Sequence, residues 1–325
     1  MATALLHRLI MKNIWLLGSG AMAQEYIKVL LAQEESFSVI GRGAHSAHEC
    51  EEKTGCVVRT GGLEDFLASK PTQCTHAIVS VSVEALMSTT LQLLDYGVRA
   101  ILVEKPAGLS LLQVHTLAER CKRLNADVFV AYNRRFFSSV VRAREIINED
   151  GGVTSFNFEF TEWSHVIGKL QKADGVLQNW FLANSTHVAD LAFYLGGKPT
   201  QLYTFTAGSL DWHPAAAIFS GAGVSNSGAL FSYQANWESA GRWGVEVLTK
   251  SYRLILRPIE KLQLQKRGSI AVDFLDCDDT LDAQFKPGLY FQTKDFLNGA
   301  HDVLCSIHYQ SEMMDAYCRI AGYET

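Results

Sequence analysis

Two glycines spaced by one residue, in Gly18-Ser19-Gly20-Ala21-Met22-Ala23, stand directly after the apolar run Asn13–Leu17. The pattern G-x-G-x-x-A between a strand and a helix lets backbone approach a pyrophosphate closely. Gly18 permits the tight turn, Gly20 leaves no side chain in the way, and Ala23 still allows the helix to pack on the strand. The helix start offers unpaired N–H groups and a positive dipole end to the phosphates. About 20 residues further on, an acid would bind the ribose of NAD. The second strand instead ends Val39-Ile40-Gly41-Arg42-Gly43. Arg42 can pair with a 2′-phosphate, with His45 or Ser46 assisting, so NADP is expected ahead of NAD. A bare glycine turn also serves packing, and Arg42 also reads as a solvated surface residue.

Two further groups carry acid–base potential. Glu104-Lys105-Pro106 follows the apolar run Ala100–Val103. Ligands of open parallel sheets sit at the carboxyl ends of strands, so Lys105 is placed to hold a hydroxyl or relay its proton. Taken alone, the same triplet fits a salt-bridged surface turn. His187 precedes an amphipathic helix with Val188, Leu191, Ala192 and Leu195 on one face and Gly196-Gly197 as its stop. With Asn184 as cap, His187 lies in the first turn, where the dipole favours the neutral, proton-accepting imidazole. Asp190, three residues on, can orient that ring. A helix histidine covering a core edge is the plainer alternative.

The elements that must position these groups change style along the chain. From residue 12 to about 131, the strand candidates Asn13–Leu17, Phe37–Ile40, His76–Val81, Ala100–Val103 and Val128–Ala131 alternate with helical periodicity. Ala23, Tyr26, Ile27, Leu30 and Leu31 mark one helix face, and Val114, Leu117, Ala118 and Cys121 another, with Ser110 where a cap belongs. Alternation of this kind predicts a doubly wound parallel α/β sheet. After about residue 150, Val153–Trp163, Gln201–Thr206, Gly228–Trp237 and Trp243–Gln265 follow one another with few helices between, which predicts an α+β domain with a mainly antiparallel sheet. Helical stretches at Phe291–Leu297 and Ser306–Ala321 close the chain. The expected division is an extension over 1–10, a dinucleotide-binding domain over 11–133 and a substrate domain over 134–325.

The glycine turn, Glu104-Lys105-Pro106, Tyr132-Asn133-Arg134-Arg135-Phe136 and His187-Val188-Ala189-Asp190 occur in the order seen in the Gfo/Idh/MocA oxidoreductases, which the chain resembles over roughly residues 11–325. The resemblance implies a Rossmann domain, then a large open antiparallel sheet, with the active site between the domains. It implies hydride transfer between NAD(P) and a carbinol or keto group of a sugar, nucleotide sugar or polyol. Lys105 matches the family's catalytic lysine and His187 its catalytic histidine. The cofactor set is then Gly18, Ser19, Gly20, Ala21, Met22, Arg42, Ser80, Ser82, Glu104 and Lys105. The substrate set is Lys105, Arg134, Trp163, Trp180, Asn184 and His187, the two tryptophans as stacking faces. Family patterns often place an acid four residues before the histidine; Ala183 stands there in this chain. Two other outcomes are a same-fold glycosidase that uses its cofactor transiently and a non-catalytic dinucleotide-binding sensor.

Composition narrows the partners. The 325 residues carry 29 Lys+Arg against 34 Asp+Glu, a formal charge of −5 without a basic stripe, which argues against nucleic acid and anionic membranes. No apolar run reaches the ~20 residues of a membrane span. Ala21-Met22-Ala23 mimics a signal-peptide cleavage site, but Lys12-Asn13 break the apolar stretch before it. Seven scattered cysteines without C-x-x-C or zinc spacing predict reduced thiols in a cytoplasmic protein and no metal. An open sheet with Phe231, Tyr233 and Trp237 needs its second face covered, which with the resemblance points to a homodimer or homotetramer.

Overall fold

Four-residue apolar runs become buried parallel strands in the computed structural model, which describes residues 12–324. The extension expected over residues 1–10 lies outside the described residues. The chain divides into two compact units. The first runs to Gly108 and is completed by Gln113–Ala131 and Leu289–His308; the second comprises Leu109–Leu112, Tyr132–Gly288 and the chain from Tyr309 onward.

In the first unit, strands β1 (Ile14–Leu17), β2 (Phe37–Ile40), β3 (Val58–Arg59), β4 (His76–Val79), β5 (Ala100–Val103) and β6 (Asp127–Val130) form one sheet in the order β3-β2-β1-β4-β5-β6. All of these neighbours pair in parallel. A two-residue strand, Cys305–Ser306, joins β6 antiparallel. Like β3, it is too short to carry a periodic signal in the sequence. Helices α1 (Ala21–Ala32), α2 (Ala44–Thr54), α3 (Gly62–Ala68), α4 (Leu86–Tyr96) and α5 (Leu111–Leu124) make the crossovers. Ala23, Tyr26, Ile27 and Leu30 of α1 are buried as expected. Leu31 is 51% exposed, because at 100° per residue it falls at the margin of the apolar stripe. Val114, Leu117, Ala118 and Cys121 of α5 are all buried. The strand order reverses between β1 and β4, and that reversal positions the site described below.

The second unit is built on an eight-stranded sheet. Its strands are β7 (Ser155–Glu159), β8 (Pro199–Ala207), β9 (Ile218–Ser225), β10 (Leu230–Asn236), β11 (Gly244–Leu248), β12 (Tyr252–Leu256), β13 (Gln263–Lys266) and β14 (Asp273–Phe274). They run in the order β14-β13-β12-β11-β7-β10-β9-β8. Only β7 and β10 pair in parallel. Helices α6 (Ser138–Glu149), α7 (Ser164–Ile167) and α8 (Thr186–Gly196) belong to this unit. Ten of the eleven residues of α8 are buried, as a helix apolar on nearly all sides must be. At Gly196, a Cβ would lie 2.3 Å from the Phe156 ring, so only glycine lets α8 approach β7 this closely.

The register corrects one expectation. Phe231 and Tyr233 are 3% exposed and Trp237 is 1% exposed. They point into the core, where Phe231 stacks on Phe156 at 5.2 Å and Tyr233 on Phe158 at 5.4 Å between ring centroids. Side chains alternate with period two, so the opposite face of β10 carries Leu230, Ser232 and Gln234. Exposed apolar residues on that face include Tyr203, Phe205, Ile218 and Leu230. Among the described residues no helix is long and apolar enough to cross a membrane, and no cysteine is in a disulfide.

A buried hydrogen-bond chain ties the C-terminal segment to this core. His213 is fully buried, its Nδ1 2.7 Å from the Ala216 carbonyl and its Nε2 2.9 Å from the Tyr323 hydroxyl. A carbonyl only accepts, so Nδ1 carries the proton and Nε2 accepts from Tyr323. The Tyr323 oxygen in turn accepts the Phe181 N–H at 3.1 Å. Burial lowers the pKa of His213 below its ordinary value. A histidine with a depressed folded value contributes stability above the unfolded pKa of about 6.5 and loses it as pH falls through the folded value. Chemical denaturation between about pH 7 and about pH 5 should therefore show wild type losing up to about 1.4 kcal/mol more per pH unit than His213→Gln within that window. Equal pH slopes would contradict this.

Candidate functional site

The reversal of strand order leaves a cleft of about 720 Å³ at the carboxyl ends of β1 and β4. Residues 17–22 form one wall and residues 80–82 the opposite wall. Gly18 has φ of +117°, and a Cβ there would sit 2.2 Å from the Ser80 carbonyl oxygen. Glycine is required at this turn on both counts. Gly20 is the N-cap of α1, with φ −78° and no side-chain cap bond. A Cβ at Gly20 would meet nothing within 4 Å, so open space faces an uncapped helix start. Ser80 is buried, and its Oγ has no hydrogen-bond partner among the described residues. The Ser19 hydroxyl donates to Ser46 Oγ at 3.0 Å, and Ser46 to the Gly43 carbonyl at 3.2 Å. An uncapped helix start, a cradle that any side chain would fill and an orphaned hydroxyl suit the pyrophosphate of a dinucleotide.

The other end of the cleft is lined by Arg42, Gly43 and Ser46. Arg42 is exposed, and its side chain has no hydrogen bond or ion pair among the described residues. His45 is absent from the wall; its side chain is 90% exposed and lies 3.7 Å from Glu49. Glu64, at the start of α3, lines the same end and was not foreseen. Nothing in the local sequence marks it, because β3, which delivers it, is only two residues long. Ser82 also lines the cleft and donates to Glu84 at 2.5 Å.

Glu104 and Lys105 directly follow β5 and are outside the wall of this cleft. The Glu104 carboxylate accepts the Tyr26 hydroxyl at 2.8 Å. Burial, with the adjacent Glu104 charge, holds the Tyr26 phenol well above its ordinary range. Glu104 thus anchors the strand end to α1, and Lys105 emerges half-buried from that anchored turn.

In the second unit a wide π-turn, Phe181–Ser185, precedes α8. Such turns recur at functional sites. Ser185 has helical backbone angles, φ −70° and ψ −18°, so the π-turn runs straight into α8 and Asn184 lies inside the turn instead of capping a free helix start. His187 remains in the first turn, 8% exposed. Its ring lies 5.8 Å from that of Tyr132, edge to face, and 6.1 Å from that of Trp243. Arg134 lies over Trp243 at 4.8 Å. Asp190 does not serve the imidazole. Its two oxygens accept from Arg135 at 2.8 and 2.5 Å, a buried bidentate pair that compensates both charges. Trp163 is half exposed and donates its indole N–H to the Gly241 carbonyl at 3.2 Å. Trp180 is packed edge to face against Trp212 at 6.3 Å.

Sequence reasoning missed a buried acid beside this cluster. Glu162 is 1% exposed, and its Oε1 accepts from Asn184 Nδ2 and Ser185 Oγ, both at 2.8 Å. Its Oε2 lies 3.5 Å from Arg242. The Arg242 guanidinium sits 4.9 Å from the rings of both Trp163 and Trp243. Burial pushes the Glu162 carboxyl up, while Ser185, Asn184 and Arg242 pull it back. Among the described residues no cluster could hold a metal ion.

A family model described as the GFO_IDH_MocA oxidoreductase family, NAD-binding Rossmann fold, matches residues 12–132. No curated protein sequence matches the chain. Among solved structures, UDP-N-acetylglucosamine 3-dehydrogenase GnnA from Acidithiobacillus ferrooxidans aligns with TM-score 0.74 at 14% identity, covering 97% of this chain and 99% of that one. Levoglucosan dehydrogenase in complex with NADH and levoglucosan aligns at 0.76 and 15%, covering 96% and 97%. An NAD-binding oxidoreductase from Klebsiella pneumoniae aligns at 0.75 and 16%, covering 95% of each chain. At these identities the likeness is one of fold. Residues 12–132, which hold the glycine turn and the cleft it walls, are similar to the NAD-binding Rossmann domain of the Gfo/Idh/MocA oxidoreductase family.

Proposed function

We propose that this chain is an NAD(P)-dependent oxidoreductase that interconverts a carbinol and a keto group on a sugar, nucleotide sugar or polyol. The observation that carries the reading is the cleft at the strand-order reversal, with an uncapped helix start at Gly20 and an orphaned Ser80 hydroxyl. Structural neighbours that act on UDP-N-acetylglucosamine and levoglucosan support a carbohydrate as substrate. Seven free cysteines support a cytoplasmic setting.

The dinucleotide, when bound, supplies or takes up the hydride. Gly18 and Gly20 admit the pyrophosphate, and the start of α1 stabilises its charge. Lys105 holds the substrate hydroxyl and favours its alkoxide, and His187 moves the proton. Arg134 and the half-exposed face of Trp163 contribute to holding the substrate.

Arg42, whose side chain has no hydrogen bond or ion pair among the described residues, takes the 2′-phosphate and makes NADP(H) the preferred cofactor; Glu64 opposes it by charge. Arg42→Ala should weaken NADP(H) by about 1.5–3 kcal/mol, a charge-assisted hydrogen bond, and leave NAD(H) nearly unchanged. Equal losses for both cofactors in a titration would defeat the assignment.

The activity is tested by screening sugars, nucleotide sugars and polyols with both cofactors and following the nicotinamide absorbance. With a reactive substrate in hand, Lys105→Met and His187→Asn should each retain cofactor binding and lose about 10²–10⁴-fold in kcat. Near-native turnover in both variants would show that the acid–base groups lie elsewhere. Tight cofactor binding with no turnover of any candidate would favour a sensor instead.

A further inference from the structure

Four residues before His187 stands Ala183, so the helix that carries the imidazole has no acid of its own on that side. The carboxylate comes from another element. We propose that Glu162 is the positioning residue for His187, holding the start of α8 and the Trp243 wall from the segment after β7. This rests on the reading of His187 as the proton-moving group.

The geometry makes the case on both sides of the imidazole. On the backbone side, Glu162 Oε1 collects the Asn184 amide and the Ser185 hydroxyl, both at 2.8 Å. These are the last two residues of the π-turn, immediately before the turn of α8 that carries His187. The Ser185 hydroxyl, at the junction of the π-turn and α8, bonds Glu162 and makes no bond to the helix backbone ahead of it. On the ring side, Glu162 Oε2 faces Arg242 at 3.5 Å. Arg242 stacks at 4.9 Å on Trp243, whose ring is 6.1 Å from that of His187. One buried carboxylate therefore fixes the chain before the histidine and the wall beside it.

Stability alone does not call for an acid here. A neutral glutamine could accept the same two bonds from Asn184 and Ser185 without placing a charge in a buried position. What glutamine cannot do is neutralise Arg242. The charged or titratable groups around the carboxylate are Arg242 directly, then Arg134 and His187 across Trp243. Burial raises the Glu162 carboxyl above its ordinary value, against the lowering by Ser185, Asn184, Arg242 and Trp180.

The test follows His187 itself. Histidine-selective NMR of the intact protein, with the His187 signal identified by its loss in His187→Asn, gives a titration midpoint for the imidazole. Glu162→Gln should move that midpoint by roughly half a pH unit or more, as loss of a nearby carboxylate does. Asn184→Ala, which removes one of the two tethers and keeps the charge, should shift the His187 signal in the folded protein by a smaller amount. Once a substrate is known, Glu162→Gln should lower kcat by about 10–100-fold with cofactor KM unchanged, and Glu162→Asp should recover part of the loss. An unaltered His187 titration and unaltered kcat in Glu162→Gln would overturn the proposal while leaving the proposed function standing. A shifted titration, with full turnover retained in His187→Asn, would leave Glu162 as positioning residue and overturn the catalytic role of the histidine.

Discussion

Position 18 admits no residue but glycine, and the first unit depends on that. The backbone there has φ of +117°, and the Ser80 carbonyl of β4 lies where a Cβ would be, at 2.2 Å. Side chains other than hydrogen would push β1 and β4 apart at the point where the order of strands reverses. Because the turn closes so tightly, α1 starts immediately beyond it, with its first N–H groups facing open space at Gly20. The cleft is a consequence of strand order and one backbone conformation, and its lining is mostly backbone and small side chains. Its backbone N–H groups and open helix start have much to offer a diphosphate.

The second unit solves a different problem. Its helix α8 is buried almost entirely against the sheet, yet it carries His187 and Asp190. Burying a charge is costly unless it is paired. Asp190 is paired by Arg135 in a two-bond clamp, with the rings of Tyr194 and Tyr309 at 4.7 and 5.0 Å from the guanidinium. His187 is left at the rim of the buried helix, between Tyr132 and Trp243. The start of that helix is held from two sides: by Tyr323 on the Phe181 N–H, and by Glu162 on Asn184 and Ser185. A histidine on a helix fixed in this way has little orientational freedom left to lose.

The parallel half was legible because its signals are local. Buried strands read as short apolar runs, helix faces as i, i+3, i+4 spacing, and the glycine turn as a string. The antiparallel half was legible in outline only. Strand β9, Ile-Phe-Ser-Gly-Ala-Gly-Val-Ser, hides behind Gly221 and Gly223, which are weak strand formers. Both glycines are required by partners distant in sequence: a Cβ at Gly221 would lie 2.4 Å from the Tyr233 hydroxyl, and one at Gly223 would lie 2.0 Å from the Gln201 carbonyl. Asn184 looked like a cap because helical spacing counts back to it. The π-turn inserts a residue that periodicity does not show, and the Asn184 amide goes to an acid 22 positions earlier. Lys105 and His187 are singled out only by the order of motifs, whereas Glu162 carries no motif and is visible only once β7 and the π-turn are side by side.

If the cleft holds a dinucleotide, filling the space above Gly20 must exclude it. Gly20→Val is suited to the measurement, since φ there is −78° and a Cβ meets nothing within 4 Å, so the fold tolerates it. Titrating NADPH and NADH into wild type and Gly20→Val, with the nicotinamide fluorescence as readout and circular dichroism as the control for folding, addresses the cofactor site without any substrate. Saturable binding to wild type that falls at least about tenfold in the folded variant, a loss of about 1.4 kcal/mol or more, is the expected result. Undiminished binding to folded Gly20→Val, or none to wild type, would contradict a dinucleotide at this turn.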